Sequence, residues 1–346
     1  MLVGLKDYFP INLEGESDGV RENGNLELLE LIKKGKEKNV FFEIYKKNMH
    51  KKYDLVIFCN EQRINDLIGF LFRNLFIKKI KLFYMADETP IGRRRYSLLF
   101  PKIYNKILIN SIDDTNFTKK NKYIIYTSAS IPDKDKIIKN KNIILKKREN
   151  LLCYIGANKL CINKKGTYIF RNNFIRLLSK NKNFSLYGKH WGEGTIPIDF
   201  PFIALIIRIN FLKNFIKEIY RKKYPLIPNK GSVASKLKIM SNYKFSLAIE
   251  PYIGEPKMVL EKIFDPMLVG SIPIYYGNKI KEIPEDTYIR INEKTNADEL
   301  ISFLESINEV ELNNYRKRIF EFLISNQARK FRFSYYANQI LDTIIE

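Results

Sequence analysis

The chain has 346 residues, 45% of them apolar, and 60 Lys+Arg stand against 38 Asp+Glu for a net charge of +22. That length favours two domains over one, and that apolar content excludes a disordered chain. The charge favours anionic partners (a nucleotide, a phospholipid surface, a phosphorylated glycan or nucleic acid), although runs such as "KNKNIILKK" also read as solvated faces. Cys59, Cys153 and Cys161 form no metal-spaced pair, and His50 and His190 are too isolated for a zinc site. The cysteine usage points to a reducing compartment. The N-terminus shows no signal-peptide pattern, and no run approaches the ~20 apolar residues that span a bilayer. The expectation is a cytoplasmic protein, or one resting on the inner face of a membrane.

In chain order, β-rich runs occur at Leu2–Leu5, Val40–Tyr45, Leu55–Phe58, Ile80–Tyr84, Ile107–Ile109 and Tyr123–Tyr126. Helical patterns such as "NLELLELIKK" lie between several of them, which argues for βαβ units and a mostly parallel sheet. Pro132 to Asn150 is polar and lysine-rich and reads as a linker. The alternation then resumes: strand "LLCYIG", helix Thr167–Ser179, strands "FSLYG" and "KFSLAIE", helix Met258–Leu268, strand "IPIYY", and helical patterns from Asn296 onward. The expected organisation is an N-terminal domain over 1–145, a second over 151–330 and a C-terminal helix over 331–346. Ligands of such sheets bind where strands end and helices begin.

Familiar phosphate loops are missing: the glycines of "YGKHWGEG" fit neither G-x-G-x-x-G nor a Walker loop. "DKD" at 133–135 imitates an acidic metal motif but lies in the lysine-rich stretch. One feature stands out. Glu261 and Lys262 sit side by side where an apolar helix begins, just before the buried-looking run Ile272–Tyr276.

"YKFSLAIE", "LEKIFDPMLVGSIPIYYG" and "IPEDTYIRI", over about residues 243–291, closely resemble the C-terminal motif of the α-1,3-fucosyltransferase family. "GANK" followed by "YIFRNNFIRLLSKNKNFSLYGKHWG" is similar to the start of that family's donor domain. "FYMADETP" and "YNKILINSID" resemble its N-terminal half more weakly. The resemblance implies a GT-B fold, with two Rossmann-like domains facing a central cleft, and inverting transfer of L-fucose from GDP-fucose to a sugar hydroxyl without a bound metal or other cofactor. It assigns donor binding to Arg171, Glu261, Lys262, Glu250, Asn158 and Tyr187. Lys262 and Arg171 would be the cations at the departing diphosphate, Glu261 would accept from the ribose hydroxyls, and the helix N-terminus near Met258 would add its partial positive charge. The general base is expected in the N-terminal domain, at Glu88 or else Asp87, while another register brings Ala86 to the family's base position.

Pro251 and Leu260 replace residues usual in that family, and "EPKMV" stands where an aromatic- and glycine-rich loop is usual. These departures keep open a GT-B enzyme that uses another nucleotide sugar. The remaining alternatives are a basic nucleic-acid-binding protein, which lacks any recognition module, and an inactive glycan-binding relative. The expected partners are a nucleotide sugar and an oligosaccharide or lipid-linked acceptor such as a lipopolysaccharide O-antigen, without nucleic acid. Residues 202–224 place Leu205, Ile209, Leu212, Ile216 and Ile219 on one helical face and Asn210, Lys213, Asn214, Lys217 and Arg221 opposite. That pattern fits a helix packed on its own domain, or one lying on an anionic membrane.

Overall fold

A computed structural model describes residues 1–7, 24–59, 64–86, 101–112, 123–127, 130–161, 166–192, 196, 209–254 and 257–346. Asp87 and Glu88 lie outside the described residues.

The first sheet is built from β1 (Leu2–Asp7), β2 (Phe41–Ile44), β3 (Leu55–Cys59), β4 (Lys81–Ala86), β5 (Lys106–Asn110) and β6 (Tyr123–Tyr126). Its order is β2-β1-β3-β4-β5-β6 and every pairing is parallel. The near-continuous apolar run of β3 suits a central strand covered on both faces. Val3, Leu5, Leu55, Ile57, Phe83 and Met85 pack on one side, and Val56, Phe58, Leu82, Tyr84, Ile107 and Ile109 on the other. Helix α1 (Gly24–Glu37) and the C-terminal α11 (Phe333–Ile345) cover the first side, and α2 (Ile64–Phe76) covers the second. The last helix of the chain thus returns to complete the first core, through Phe333, Tyr336, Ile340 and Ile344.

The stretch expected as a linker is instead two short helices, α3 (Lys134–Lys139) and α4 (Lys141–Leu145). Ile137 and Ile144 point inward between the lysines and join the second core, against α10 (Glu309–Ile324). Two buried isoleucines outweigh a polar composition, since each contributes about 2 kcal/mol on burial.

The second sheet has the order β11-β10-β9-β7-β8, again all parallel. Its strands are β7 (Asn150–Ile155), β8 (Phe184–Tyr187), β9 (Tyr243–Ile249), β10 (Ile272–Tyr276) and β11 (Ile289–Arg290). Around it lie α5 (Tyr168–Leu178), α7 (Lys236–Met240), α8 (Glu261–Leu268) and α9 (Ala297–Ser306). Helix α8 begins at Glu261, later than the expected Met258. Met258 and Val259 are buried in the extended approach to it, so their burial belongs to a strand-to-helix connection. At its other end Gly270 has φ +70°, and a Cβ there would overlap the Ile144 carbonyl oxygen. Only glycine both reverses the chain and lets α4 approach so closely.

Within residues 202–224, the described part forms α6 (Asn210–Lys223), and none of its residues is buried. Phe211 is 76% exposed and Phe215 56%, and Leu212 and Ile219 are exposed as well. The apolar face of this helix is not a core face among the described residues. No helix among them is long and apolar enough to cross a membrane.

Candidate active site

In the second sheet, β7 has β8 on one side and β9 on the other. Connections leave this point in opposite directions, which opens a crevice at the carboxyl ends of the strands. Gly156–Asn158 follow β7, Glu250 follows β9 and Gly277 follows β10, so the topology alone gathers these residues at one edge.

Glu250 is its most buried carboxyl group, 1% exposed. One oxygen accepts from the Leu260 amide at 3.2 Å, and Oε2 is buried without a hydrogen-bond partner. The neighbouring Tyr275 hydroxyl is likewise buried and unpartnered. Burial pushes the Glu250 carboxyl up to about 8, against the pull of Lys262. Gly277 makes room here, because a Cβ would overlap the Tyr275 hydroxyl and come within 2.7 Å of Glu250 Cγ. Asn278 ties down the preceding loop: its Oδ1 accepts from the Gly254 amide at 3.0 Å and its Nδ2 donates to the Met258 carbonyl at 3.4 Å.

Helix α8 opens on the Glu261–Lys262 pair, whose Nζ and Oε1 are 2.9 Å apart and whose side chains are partly buried. Burial raises the Glu261 carboxyl, but Lys262 and Lys236 outweigh it and draw it down to about 2. The Lys262 ammonium is held above its ordinary range, since Glu261 and Glu250 outweigh the opposing effect of burial. A second buried pair supports the first. Lys236 of α7 bonds Asp265, one turn below Glu261 on α8. Burial raises Asp265 to about 6 despite Lys236. Sequence reading missed Lys236 and Asp265. The available signal was the i, i+4 spacing of Glu261 and Asp265, which puts two carboxylates on one helical face.

Arg171 and Asn158 meet at the loop after β7. Arg171, 4% exposed, donates to the carbonyls of Ala157 (3.3 Å) and Lys159 (3.0 Å) and lies over the Tyr168 ring at 4.5 Å, while its Nε is unpartnered. Asn158 donates to the His190 carbonyl at 3.0 Å and keeps a buried, unpartnered Oδ1. Asn172, another residue missed in the sequence, holds Lys159 from below at 2.9 Å and keeps an unpartnered Oδ1. Unpartnered buried polar atoms are costly, roughly 1–3 kcal/mol each, and rare in folded proteins. Their concentration in Glu250, Tyr275, Asn158, Asn172 and Arg171 marks where a polar ligand would complete the hydrogen bonding.

Tyr187 is not brought to this group. Its hydroxyl bonds Tyr243 at 2.9 Å, and Tyr243 opens β9 in register with Asn150, at the amino end of the sheet. Lys230 stands over its ring at 5.5 Å. The Tyr187 hydroxyl is thus engaged with Tyr243 and is not turned toward the Glu250 and Arg171 group.

The raised Glu250 carboxyl has a sign-definite consequence. The native state holds its proton up to about pH 8, whereas the unfolded chain releases it near the usual 4.5. Its contribution to stability is complete below the unfolded value and is lost as pH rises towards about 8. Asp265 has the same sign but is finished near 6. The melting temperature is expected to fall between pH 6.5 and 8, and Glu250→Gln should flatten that slope. An equal slope in the variant, read by thermal melts, would remove Glu250 as its source.

Residues 207–331 match the model of glycosyltransferase family 10 (fucosyltransferase), C-terminal part. A stretch of 86 residues, 23% of this chain, is 34% identical to alpha-(1,3)-fucosyltransferase B of Drosophila melanogaster, and it spans 19% of that protein. In fold, the whole chain superposes on 99% of Anabaena HepE in complex with UDP and glucose, with a TM-score of 0.54 at 10% identity. The E. coli trehalose-6-phosphate structure with bound UDP-2-fluoro glucose gives a TM-score of 0.52 at 8% identity, covering 99% of this chain and 98% of that one. The two parallel sheets have the GT-B fold, and residues 207–331, which help shape the crevice, are similar to the C-terminal part of glycosyltransferase family 10, the fucosyltransferases.

Proposed function

We propose that the protein is an inverting glycosyltransferase that moves L-fucose from GDP-fucose to a hydroxyl of a surface glycan. The observation behind this reading is the Lys262 ammonium, paired with Glu261 at 2.9 Å and held above its ordinary range by Glu261 and Glu250, within the family-matched stretch. As the glycosidic bond to the diphosphate breaks, negative charge grows on the leaving oxygens. Lys262 and the first turn of α8 supply fixed positive charge there without reorganisation, which makes a bound metal dispensable. Arg171 shapes the loop after β7 and presents its Nε to the same anion. Glu261 accepts from the ribose hydroxyls, and Glu250, uncharged near neutral pH, donates from its free oxygen to the sugar or phosphate.

In sequence, Asp87 and Glu88 directly follow Ala86, the last residue of β4. We assign the base to Glu88, with Asp87 as its substitute. It takes the acceptor hydroxyl proton as that oxygen attacks the anomeric carbon from the face opposite GDP, hence inversion. The acceptor is a lipid-linked glycan, such as a lipopolysaccharide O-antigen precursor, at the cytoplasmic face of a membrane. The exposed apolar face of α6, flanked by Arg221, Lys222 and Lys223, suits contact with that surface. A second reading, transfer of a different sugar, is favoured by Pro251 and Leu260 beside Glu250 and Glu261. GDP release from GDP-fucose, with fucosylated acceptor formed in the presence of EDTA, tests the first reading. Turnover that disappears with EDTA would refute the metal-free mechanism.

A further inference from the structure

Helix α2 is built unlike an ordinary surface helix. It buries Leu67 and Phe70 against the first sheet, and the opposite face would normally be polar. Instead the outward stripe is Ile68, Phe72, Leu75 and Phe76, at i, i+4, i+7 and i+8, and Ile77 continues it. Phe72 is 63% exposed, Leu75 79% and Phe76 71%. The rings of Phe72 and Phe76 lie 4.5 Å apart, so these residues form a contiguous apolar tip where scattered single exposures would be ordinary.

Lysines flank the C-terminal end of that tip. The 3₁₀ segment Lys47–Lys52 is held against the end of α2, because His50 Nε2 donates to the Lys78 carbonyl at 3.0 Å. Lys78 in turn donates to the carbonyls of Lys51 at 3.1 Å and Tyr53 at 3.0 Å. Lys51, Lys52, Lys78 and Lys79 are all exposed. Two acids of this region have partners: Asp66 pairs with Lys47 of the same segment at 3.2 Å, and Asp54 accepts from the Leu2 amide at 2.7 Å. Arg73 is turned inward onto the Tyr45 hydroxyl at 3.1 Å.

We propose that this tip of the N-terminal lobe inserts into the headgroup region of an anionic bilayer, with Phe72, Leu75, Phe76 and Ile77 entering the acyl boundary and the lysines meeting acidic headgroups. Protein interfaces are depleted in lysine, whereas aromatic and aliphatic side chains flanked by lysines suit an anionic lipid surface. The proposal rests on the membrane-side acceptor reading for its purpose, but its binding step stands apart from the identity of the sugar.

Flotation with phosphatidylcholine vesicles, with and without phosphatidylglycerol, tests it. The wild-type chain is expected to float with anionic vesicles at low salt and to detach as salt rises. Phe72→Ser/Leu75→Ser/Phe76→Ser should abolish flotation, and Lys52→Gln/Lys79→Gln should weaken it about fivefold per lysine. Lys213→Glu/Lys217→Glu/Arg221→Glu, on α6, provides the comparison that separates the two surfaces. Thermal stabilisation by GDP-fucose, measured on the same samples, reports that each variant is folded. Loss of that stabilisation in the wild type with flotation intact would overturn the donor assignment and leave the tip assignment standing. Unchanged flotation of both α2 variants, wild-type indifference to anionic vesicles at low salt, or a serine variant altered only in self-association would each overturn the proposal.

Discussion

Lys262→Ala is expected to lower kcat/KM by about a hundredfold, equivalent to roughly 3 kcal/mol of transition-state stabilisation. The loss has two parts that act together. On the proposed assignment the departing diphosphate would lose a fixed cation, and the carboxyl groups of Glu250 and Glu261 would lose the ammonium that lowers both of them. Glu261 would then no longer be drawn down so far, and its readiness to accept from ribose hydroxyls would weaken. Lys262→Arg keeps the charge but exchanges a point-like ammonium for a planar fork, so partial recovery is expected. Arg171→Ala should also reduce turnover about a hundredfold, but with a different accompaniment. Its guanidinium holds the carbonyls of Ala157 and Lys159, so this variant should also melt at a lower temperature. Wild-type-like kcat/KM in either variant, with normal folding, would refute the cation assignment.

Glu88→Gln is expected to reduce turnover by roughly two orders of magnitude or more while leaving GDP affinity nearly unchanged. Glutamine keeps the shape of the side chain but cannot take the acceptor proton. The split between kcat and GDP binding is diagnostic, because a donor-site residue would change both. Comparing single-turnover rates with the GDP dissociation constant decides the matter. Near-normal turnover would move the role to Asp87 or to another carboxylate of the N-terminal lobe.

The strands were legible because a doubly wound sheet writes itself as short apolar runs separated by helical periodicity. The pairs Leu55–Cys59 and Ile272–Tyr276, buried along nearly their whole length, are the clearest cases. Strand order was not legible, since local pattern says nothing about which runs become neighbours. The helices within 134–145 are hidden in the sequence because a lysine-rich composition masks the two inward isoleucines, Ile137 and Ile144. The start of α8 was misplaced because buried Met258 and Val259 look like a first helical turn until the extended backbone at Leu260 is seen.

The candidate site divides in a similar way. Glu250, Glu261 and Lys262 were found through a family-like motif, and topology brings them to one edge because β9 and β10 are neighbours. Tyr187 stands apart from the other candidates, and its place at a strand end gives no hint that its hydroxyl meets Tyr243. The i, i+4 spacing from Glu261 points to Asp265 alone, and its pairing with Lys236 spans two helices separated by a strand, a contact that local spacing does not reveal. The outward apolar stripe of α2 shows as a surface only through burial, because the opposite face is the one packed on the sheet.

Thermal melts with a panel of nucleotide sugars test the central claim most directly, because a ligand that binds only the native state raises the melting temperature, by an amount that grows with the logarithm of its concentration over its dissociation constant. GDP-fucose and GDP at about 100 times their dissociation constants should each stabilise the wild-type chain by about 2.7 kcal/mol in the presence of EDTA, and the Lys262→Ala chain by much less. Equal stabilisation of both proteins, or a shift with UDP-sugars and none with GDP-fucose or GDP, would contradict the account.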